Sequence, residues 1–231
     1  MQMKKTCNLV WQLKQFDLLS QLRESQLEEL SDWIKDFNYS KGESIYLPGE
    51  SSESVYFLKQ GKVKLSHLGP GGKEFTVSII SKGELFGEMA LVGEEGRSLK
   101  AEALEDVVLC TIFRRDFLHF ADQNPELSLK VAKEIGQHER EIQTNLTDLI
   151  FKDVPTRLAG VLCRLASDYG SREKEGLRIE PGFTHEELAK LIGSTRETTT
   201  ATLNRFESDG LLEKGRGRIV IRDMSALKAR T

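Results

Sequence analysis

Two short stretches of the sequence carry residue types suited to holding anions and base edges, and they lie far apart in the chain. The first is Gly83-Glu84-Leu85-Phe86-Gly87-Glu88-Met89-Ala90-Leu91, followed after a short loop by Gly96-Arg97-Ser98. An arginine fork and a serine hydroxyl suit an anionic phosphate, and a carboxylate can accept from sugar hydroxyls. The second is Ser194-Thr195-Arg196-Glu197, with the basic run Lys214-Gly215-Arg216-Gly217-Arg218 further on. Arg can donate two parallel bonds to guanine O6 and N7, and Glu can accept from cytosine N4, so Arg196 and Glu197 fit a G·C-containing step. Thr195, Lys214, Arg216 and Arg218 suit phosphates, which position a protein without specifying sequence.

Other chemistries find little support. Cys7, Cys110 and Cys163 are an odd set, too widely spaced for a Cys-x-x-Cys clip, and read as reduced, buried thiols rather than a disulfide framework or an iron-sulfur cluster. His67, His119 and His138 are scattered, and structural histidines are the expectation over haem or metal ligands. No Ser/His/Asp or Cys/His arrangement stands out, so no enzyme and no metal site is expected.

The first stretch belongs to a region of short extended runs separated by Gly-bearing turns: Glu43 to Leu47, Ser54 to Lys59, Lys62 to Leu68, Glu74 to Ile80 and Val107 to Phe113. Lys62 to Ser66 and Glu74 to Ile79 alternate polar and apolar residues, and Gly69-Pro70-Gly71-Gly72 links them as a hairpin. Such a pattern predicts a sandwich, jelly roll or barrel. Leu18 to Phe37, with apolar residues at near-helical spacing, reads as a helical lead-in. Asn124-Pro125-Glu126 announces a long helix, with Asn124 placed to cap it. Along that helix Ser128, Val131, Ile135, His138, Ile142, Asn145 and Leu149 recur at alternating spacings of three and four, a seam that could pair with a second copy or pack on its own β domain.

Lys152-Asp153-Val154-Pro155 starts a new unit, whose first helix carries Leu158, Leu162 and Leu165, and Asp168 to Gly176 reads as polar loop. Thr184 and Glu187 form a capping box on a helix through Ile192, Gly193 makes a turn, and Ser194 with Glu197 forms a second box on a helix to about Ser208. That is a helix-turn-helix, and the hairpin around Lys214 to Arg218 would be its wing. Its second helix would enter the major groove of double-stranded DNA, and Thr200 joins the expected contacts.

The length of 231 residues suits two ordinary domains, and 39% apolar with 30% charged residues suits a globular chain. A formal charge of −3 hides an asymmetry: 18 Lys+Arg against 24 Asp+Glu through Phe151, then 15 against 12. A basic C-terminal part beside an acidic N-terminal one fits nucleic-acid binding attached to a sensing domain. No apolar run is long enough to span a bilayer, and Met1 to Leu13 lacks a signal-peptide pattern, so a cytoplasmic protein without membrane contact is expected.

The order of β-roll, Gly-Glu-Leu-Phe-Gly-Glu-Met-Ala-Leu, Arg-Ser, long helix, Asp-Val-Pro-Thr-Arg-Leu and Ser-Thr-Arg-Glu-Thr resembles the CRP/FNR superfamily of bacterial transcription regulators over nearly the whole chain. The resemblance implies an α+β protein: an N-terminal double-stranded β-roll (jelly roll), a long central dimerisation helix and a C-terminal winged helix-turn-helix. The corresponding domains would span 1–114, 115–151 and 152–231. It implies a homodimer on an inverted-repeat operator, with RNA polymerase as a partner. In the cyclic-AMP-binding branch, Glu88 would hold the ribose hydroxyl, and Arg97 and Ser98 with the Gly87 backbone would hold the cyclic phosphate of cAMP or another cyclic nucleotide. Three departures stand out. Ile142-Gln143 replaces the branch's adenine-facing Thr-Ser pair, leaving Gln143 and Thr144 as the adenine-side candidates. Ala201 replaces a second recognition Arg. Thr199 and Thr202 occupy positions that are usually apolar, with hydroxyls expected to bond carbonyls one turn back. The N-terminal cysteine cluster of the oxygen-sensing branch is missing. Alternatives are a regulator with an empty or different-ligand pocket, and a cyclic-nucleotide-binding module whose C-terminal domain contacts protein.

Overall fold

The computed structural model describes residues 10–174, 176–180, 182–215 and 217–231, so the expectations placed on Cys7 and Arg216 lie outside the described residues. The described residues fall into two compact units, one holding those up to Glu141 other than Glu74–Thr76, the second holding Glu74–Thr76 and those from Ile142 on.

The first unit has helix α1 (Glu24–Trp33) ahead of its strands and is built on two four-stranded sheets. One has the order β1 (Lys35–Tyr39), β8 (Val107–Phe113), β3 (Ser54–Gln60), β6 (Leu85–Phe86); the other runs β2 (Ser44–Tyr46), β7 (Lys100–Ala103), β4 (Val63–Leu68), β5 (Glu74–Ile80). This is the expected β-roll, and the five anticipated strand regions are all present. Alternation along β3 and β8 gives their sheet two buried faces: Leu58, Val107 and Leu109 meet Val63, Leu65, Phe86 and Ala101 between the sheets. Val55, Phe57, Cys110 and Ile112 face the opposite way, onto Leu27, Leu30, Phe117 and Phe120. Full burial of a side chain such as Phe57 or Phe86 contributes about 1.5–3 kcal/mol. Helix α2 (Arg114–Gln123) and helix α3 (Pro125–Phe151) follow β8.

Several expectations are corrected. Lys35–Tyr39 is not the end of a helix; it pairs antiparallel with β8, Lys35 opposite Thr111 and Tyr39 opposite Val107. Backbone pairing to a sheet edge outweighs the weak helical spacing here, and its mostly exposed side chains leave no apolar pattern to read. Strand β7, unseen in the sequence reading, turns Ala101 and Ala103 inward. Asn124 does not use its side chain as a cap: its Nδ2 donates to the Phe120 carbonyl at the end of α2 (2.8 Å) and its Oδ1 accepts from Gln26, while its own carbonyl accepts from Leu127 N–H (2.9 Å). Val131 and Ile135 do not belong to a free seam either. Val131 is 7% exposed within the core of the roll and Ile135 packs against it, so this half of the stripe serves its own domain. On the remainder of α3, Ile142, Leu146, Ile150 and Phe151 are exposed, while Asn145 and Leu149 are half-buried.

The second unit starts at helix α4 (Val154–Tyr169), capped by Asp153, whose Oδ1 accepts from Thr156 N–H at 2.9 Å. The expected polar loop after it is a hairpin, β9 (Gly170–Glu173) and β10 (Gly176–Ile179), which extends the wing strands into one sheet of order β11 (Leu212–Gly215), β12 (Arg218–Ile221), β10, β9. Pairing of Leu177 with Ile221 is what recruits this polar segment. Helices α5 (His185–Leu191) and α6 (Arg196–Ser208) form the helix-turn-helix around Gly193, whose φ of +58° suits a residue without Cβ, and α7 (Met224–Lys228) closes the unit. Cys110 and Cys163 are free and buried, and no described helix is long and apolar enough to cross a membrane.

Candidate effector pocket and nucleic-acid interface

In the roll, β6 ends at Phe86, and Gly87 leads into a short 3-10 helix, Glu88–Val92. Gly87 has φ +74°, and a Cβ there would lie 2.9 Å from Arg97 Nη1 and 3.0 Å from the Tyr56 ring. The glycine therefore admits the guanidinium. Arg97 is 4% exposed; its Nη1 donates to the Gly87 carbonyl (3.1 Å), its Nη2 donates to the Ser54 carbonyl, and its Cζ lies 4.5 Å from the centre of the Tyr46 ring. Burial pushes the Tyr46 hydroxyl well above its ordinary range. Arg97 Nε is buried without a hydrogen-bond partner, and among the described residues no carboxylate pairs with this cation. Its backbone is held between Glu50 O and Gly49 N, each at 2.8 Å.

Glu88 is 7% exposed and its Oε1 meets His138 Nδ1 of α3 at 3.1 Å. That hydrogen bond raises the His138 pKa, against desolvation, which lowers it. Ser98 is exposed, and its N–H donates to Glu94 Oε1 at 3.1 Å. The structure thus brings Gly87 and Arg97 into contact, while Glu88 and Ser98 are each bonded to groups the sequence reading did not pair with them. His138, expected on a seam, is the partner of Glu88; Glu94, Ser52, Tyr46 and Ser54 also line this site, and nothing in their spacing marks them in the sequence. Gln143 and Thr144 are exposed on α3.

In the second unit Thr184 caps α5 through a reciprocal box with Glu187. The second box is corrected: Thr195, not Ser194, caps α6, its Oγ1 accepting from Thr198 N–H at 3.2 Å. Because the helix begins at Arg196, the residue three after the cap is Thr198, and the Glu197 carboxylate is not used in capping. Thr199, Thr202, Leu203 and Phe206 face the core, with the Thr199 and Thr202 hydroxyls donating to the carbonyls of Thr195 (2.8 Å) and Thr198 (2.9 Å) as expected. Arg196, Glu197 and Ala201 are exposed on the outer face. Thr200 is half-buried, its hydroxyl 2.9 Å from His185 Nδ1 on α5. Burial, then the charges of Lys214 and Arg196, lowers the His185 pKa. In the wing, Lys214 pairs with Glu207 and Arg218 with Glu173, holding both carboxyls below their usual range. These are surface pairs, weak enough to exchange for phosphate. No group of three or more His, Cys, Asp and Glu suited to a metal occurs among the described residues.

Residues 36–124 match the family model of the cyclic nucleotide-binding domain, and residues 156–230 that of the Crp-like helix-turn-helix domain. The chain is 32% identical over 190 residues to the cyclic AMP receptor protein of Thermus thermophilus, covering 82% of this chain and 85% of that one. It is 29% identical over 206 residues to a CRP-like cAMP-activated global transcriptional regulator of Mycobacterium tuberculosis, covering 89% and 92%. Among solved structures, a CRP/FNR family transcriptional regulator of Thermus thermophilus superposes with a TM-score of 0.73 at 27% identity, covering 85% of this chain and 97% of that one. With a β-roll, a long helix and a helix-turn-helix in that order, and with 82% of its length covered at 32% identity by a relative, the chain belongs to the CRP/FNR family of DNA-binding transcription regulators.

Proposed function

We propose that this regulator is a homodimer that binds an inverted-repeat operator and is controlled by a small anionic effector in the β-roll, a cyclic nucleotide foremost. The observation that carries the effector reading is Arg97: a buried cation that no carboxylate pairs with among the described residues, and whose Nε is without a hydrogen-bond partner. Leaving a charged donor unsatisfied in the interior is costly, and a ligand phosphate is an anion that would relieve it. Relatives named for cyclic AMP support the same choice. Gly87, Glu88, Arg97 and Ser98 would form the phosphate-ribose site, with Gln143 and Thr144 as adenine-side candidates.

On the DNA side Arg196 and Glu197 read base edges, and Thr195, Thr200, Lys214, Arg216 and Arg218 hold the backbone. Ile142, Leu146, Ile150 and Phe151 supply the surface for self-association, replacing Val131 and Ile135 in that role. The labour divides between a sensor over 1–114, a connecting helix region over 115–151 and a reader over 152–231, with RNA polymerase recruited by DNA-bound dimer. Calorimetric titration of the purified protein with cyclic AMP and cyclic GMP tests the effector claim: saturable binding of at least one supports it, and binding of neither favours a regulator acting without a cyclic nucleotide.

A further inference from the structure

The loop between the two halves of the pocket motif, Gly93-Glu94-Glu95-Gly96, is zipped to the segment Gly49–Ser52. Gly49 N–H donates to Arg97 O, Arg97 N–H to Glu50 O and Ser52 N–H to Glu95 O, at 2.8, 2.8 and 3.0 Å. This pairing delivers the half-buried Glu94 side chain to two donors at once: Ser98 N–H reaches Oε1 at 3.1 Å, and the hydroxyl of Ser52, itself 2% exposed, reaches Oε2 at 3.3 Å. An anion supplied by the chain itself therefore sits on a backbone N–H next to Arg97, where a ligand phosphate would bind. Both bonds are longer than the 2.7–2.9 Å typical of charge-assisted ones, so the hold is loose and reversible.

We infer that Glu94 is an intrachain occupant of the phosphate subsite, and that an anionic effector enters only by displacing its carboxylate from Ser98 and Ser52. This rests on the reading of the roll as a phosphate-binding pocket and adds to it a residue that sets how strongly phosphate is preferred. One N–H presents one hydrogen, so Glu94 Oε1 and a phosphate oxygen exclude each other there. A retained carboxylate beside the phosphate would add like-charge repulsion. The competition touches the phosphate end alone and is indifferent to the base.

The test is calorimetric titration of full-length wild type, Glu94→Gln, Glu94→Ala and Glu95→Gln with cyclic AMP, cyclic GMP and adenosine. Glu95→Gln removes the same charge one residue along, where the side chain makes no hydrogen bond among the described residues. Affinity for both cyclic nucleotides should rise about tenfold in the Glu94 variants, equivalent to one competing contact removed, with Glu95→Gln like wild type and no gain for adenosine. Two Glu94 variants guard against a folding defect in either. Equal cyclic-nucleotide affinity in wild type and both Glu94 variants, or an equal gain in Glu95→Gln, would overturn the inference and leave the phosphate pocket standing. Failure of every folded protein to bind either cyclic nucleotide would overturn both.

Discussion

The pocket of the roll and the recognition helix of the reader treat their polar residues in opposite ways. In the pocket, Glu88, Arg97 and the Ser98 amide are each engaged by the chain itself, through His138, the Gly87 and Ser54 carbonyls, and Glu94. On α6, the side chains of Arg196 and Glu197 stand exposed and take no hydrogen bond or ion pair from the described residues. For Glu88 and Arg97, 7% and 4% exposed, the difference follows from burial, whereas Ser98 is exposed and is reached by the neighbouring Glu94. Polar groups taken out of water are mostly satisfied internally, so Glu88 and the Arg97 Nη atoms draw partners from other parts of the chain while Arg97 Nε is left without one. An exposed reading surface is satisfied by water and needs none.

The contrast can be broken or sharpened experimentally, beginning with the connection that serves both regions. Replacing Ile142 and Leu146 together with Lys places like charges on the exposed apolar stretch of α3. The protein should sediment as a monomer, and operator affinity should fall by roughly two to four orders of magnitude as one half-site is lost. A double mutant that remains dimeric would move the self-association surface elsewhere.

Within the pocket, Arg97→Ala removes the guanidinium proposed to meet the ligand phosphate and should weaken any phosphate-bearing effector by about 1.5–3 kcal/mol or more, leaving a folded protein with intact α6. Calorimetry beside circular dichroism checks both halves of that statement. On the helix, Arg196→Ala should cost about 1–3 kcal/mol of operator binding and relax preference at one base pair without touching effector affinity. Ala201→Arg should create a new preference for guanine at the facing position, since a methyl there can contact only a thymine methyl or nothing.

The smallest effects are those of pH, and they have opposite signs in the two units. His138 has a raised pKa through its bond to Glu88, so that bond stabilises fully below the unfolded value near 6.5 and is lost as pH rises through the folded value. His185 has a lowered pKa, so its contribution is present above about 6.5 and is lost as pH falls through its depressed folded value. Urea midpoints of the sensor followed between pH 6 and 8 should decline in wild type, and that component of the decline should vanish in His138→Gln. An unchanged slope would mean that Glu88 and His138 are not coupled.

Much of the fold could be read directly. Gly69 to Gly72, the Thr184 and Glu187 box and the Asn124-Pro125 start carry their geometry locally, and all are found as turns or helix starts. What was not legible depends on distant partners. Lys35–Tyr39 becomes a strand because Val107–Thr111 offers an edge. A three-and-four stripe through Val131 and Ile135 has the same spacing whether it faces a second copy or its own roll. In the roll the residue types suit phosphate, yet the pairs found around them, Glu88 with His138 and Ser52 with Glu94, join segments with no sequence relation.

Selection of random DNA duplexes by wild type, Arg97→Ala and Arg196→Ala, each with and without cyclic AMP, addresses the central claim most directly. The account predicts that wild type recovers an inverted repeat with half-site centres about 34 Å apart, one helical turn. Enrichment should depend on the nucleotide in wild type, be independent of it in Arg97→Ala, and lose one base preference in Arg196→Ala. A wild-type motif without two-fold symmetry, or recovery indifferent to both the nucleotide and the substitutions, would contradict it.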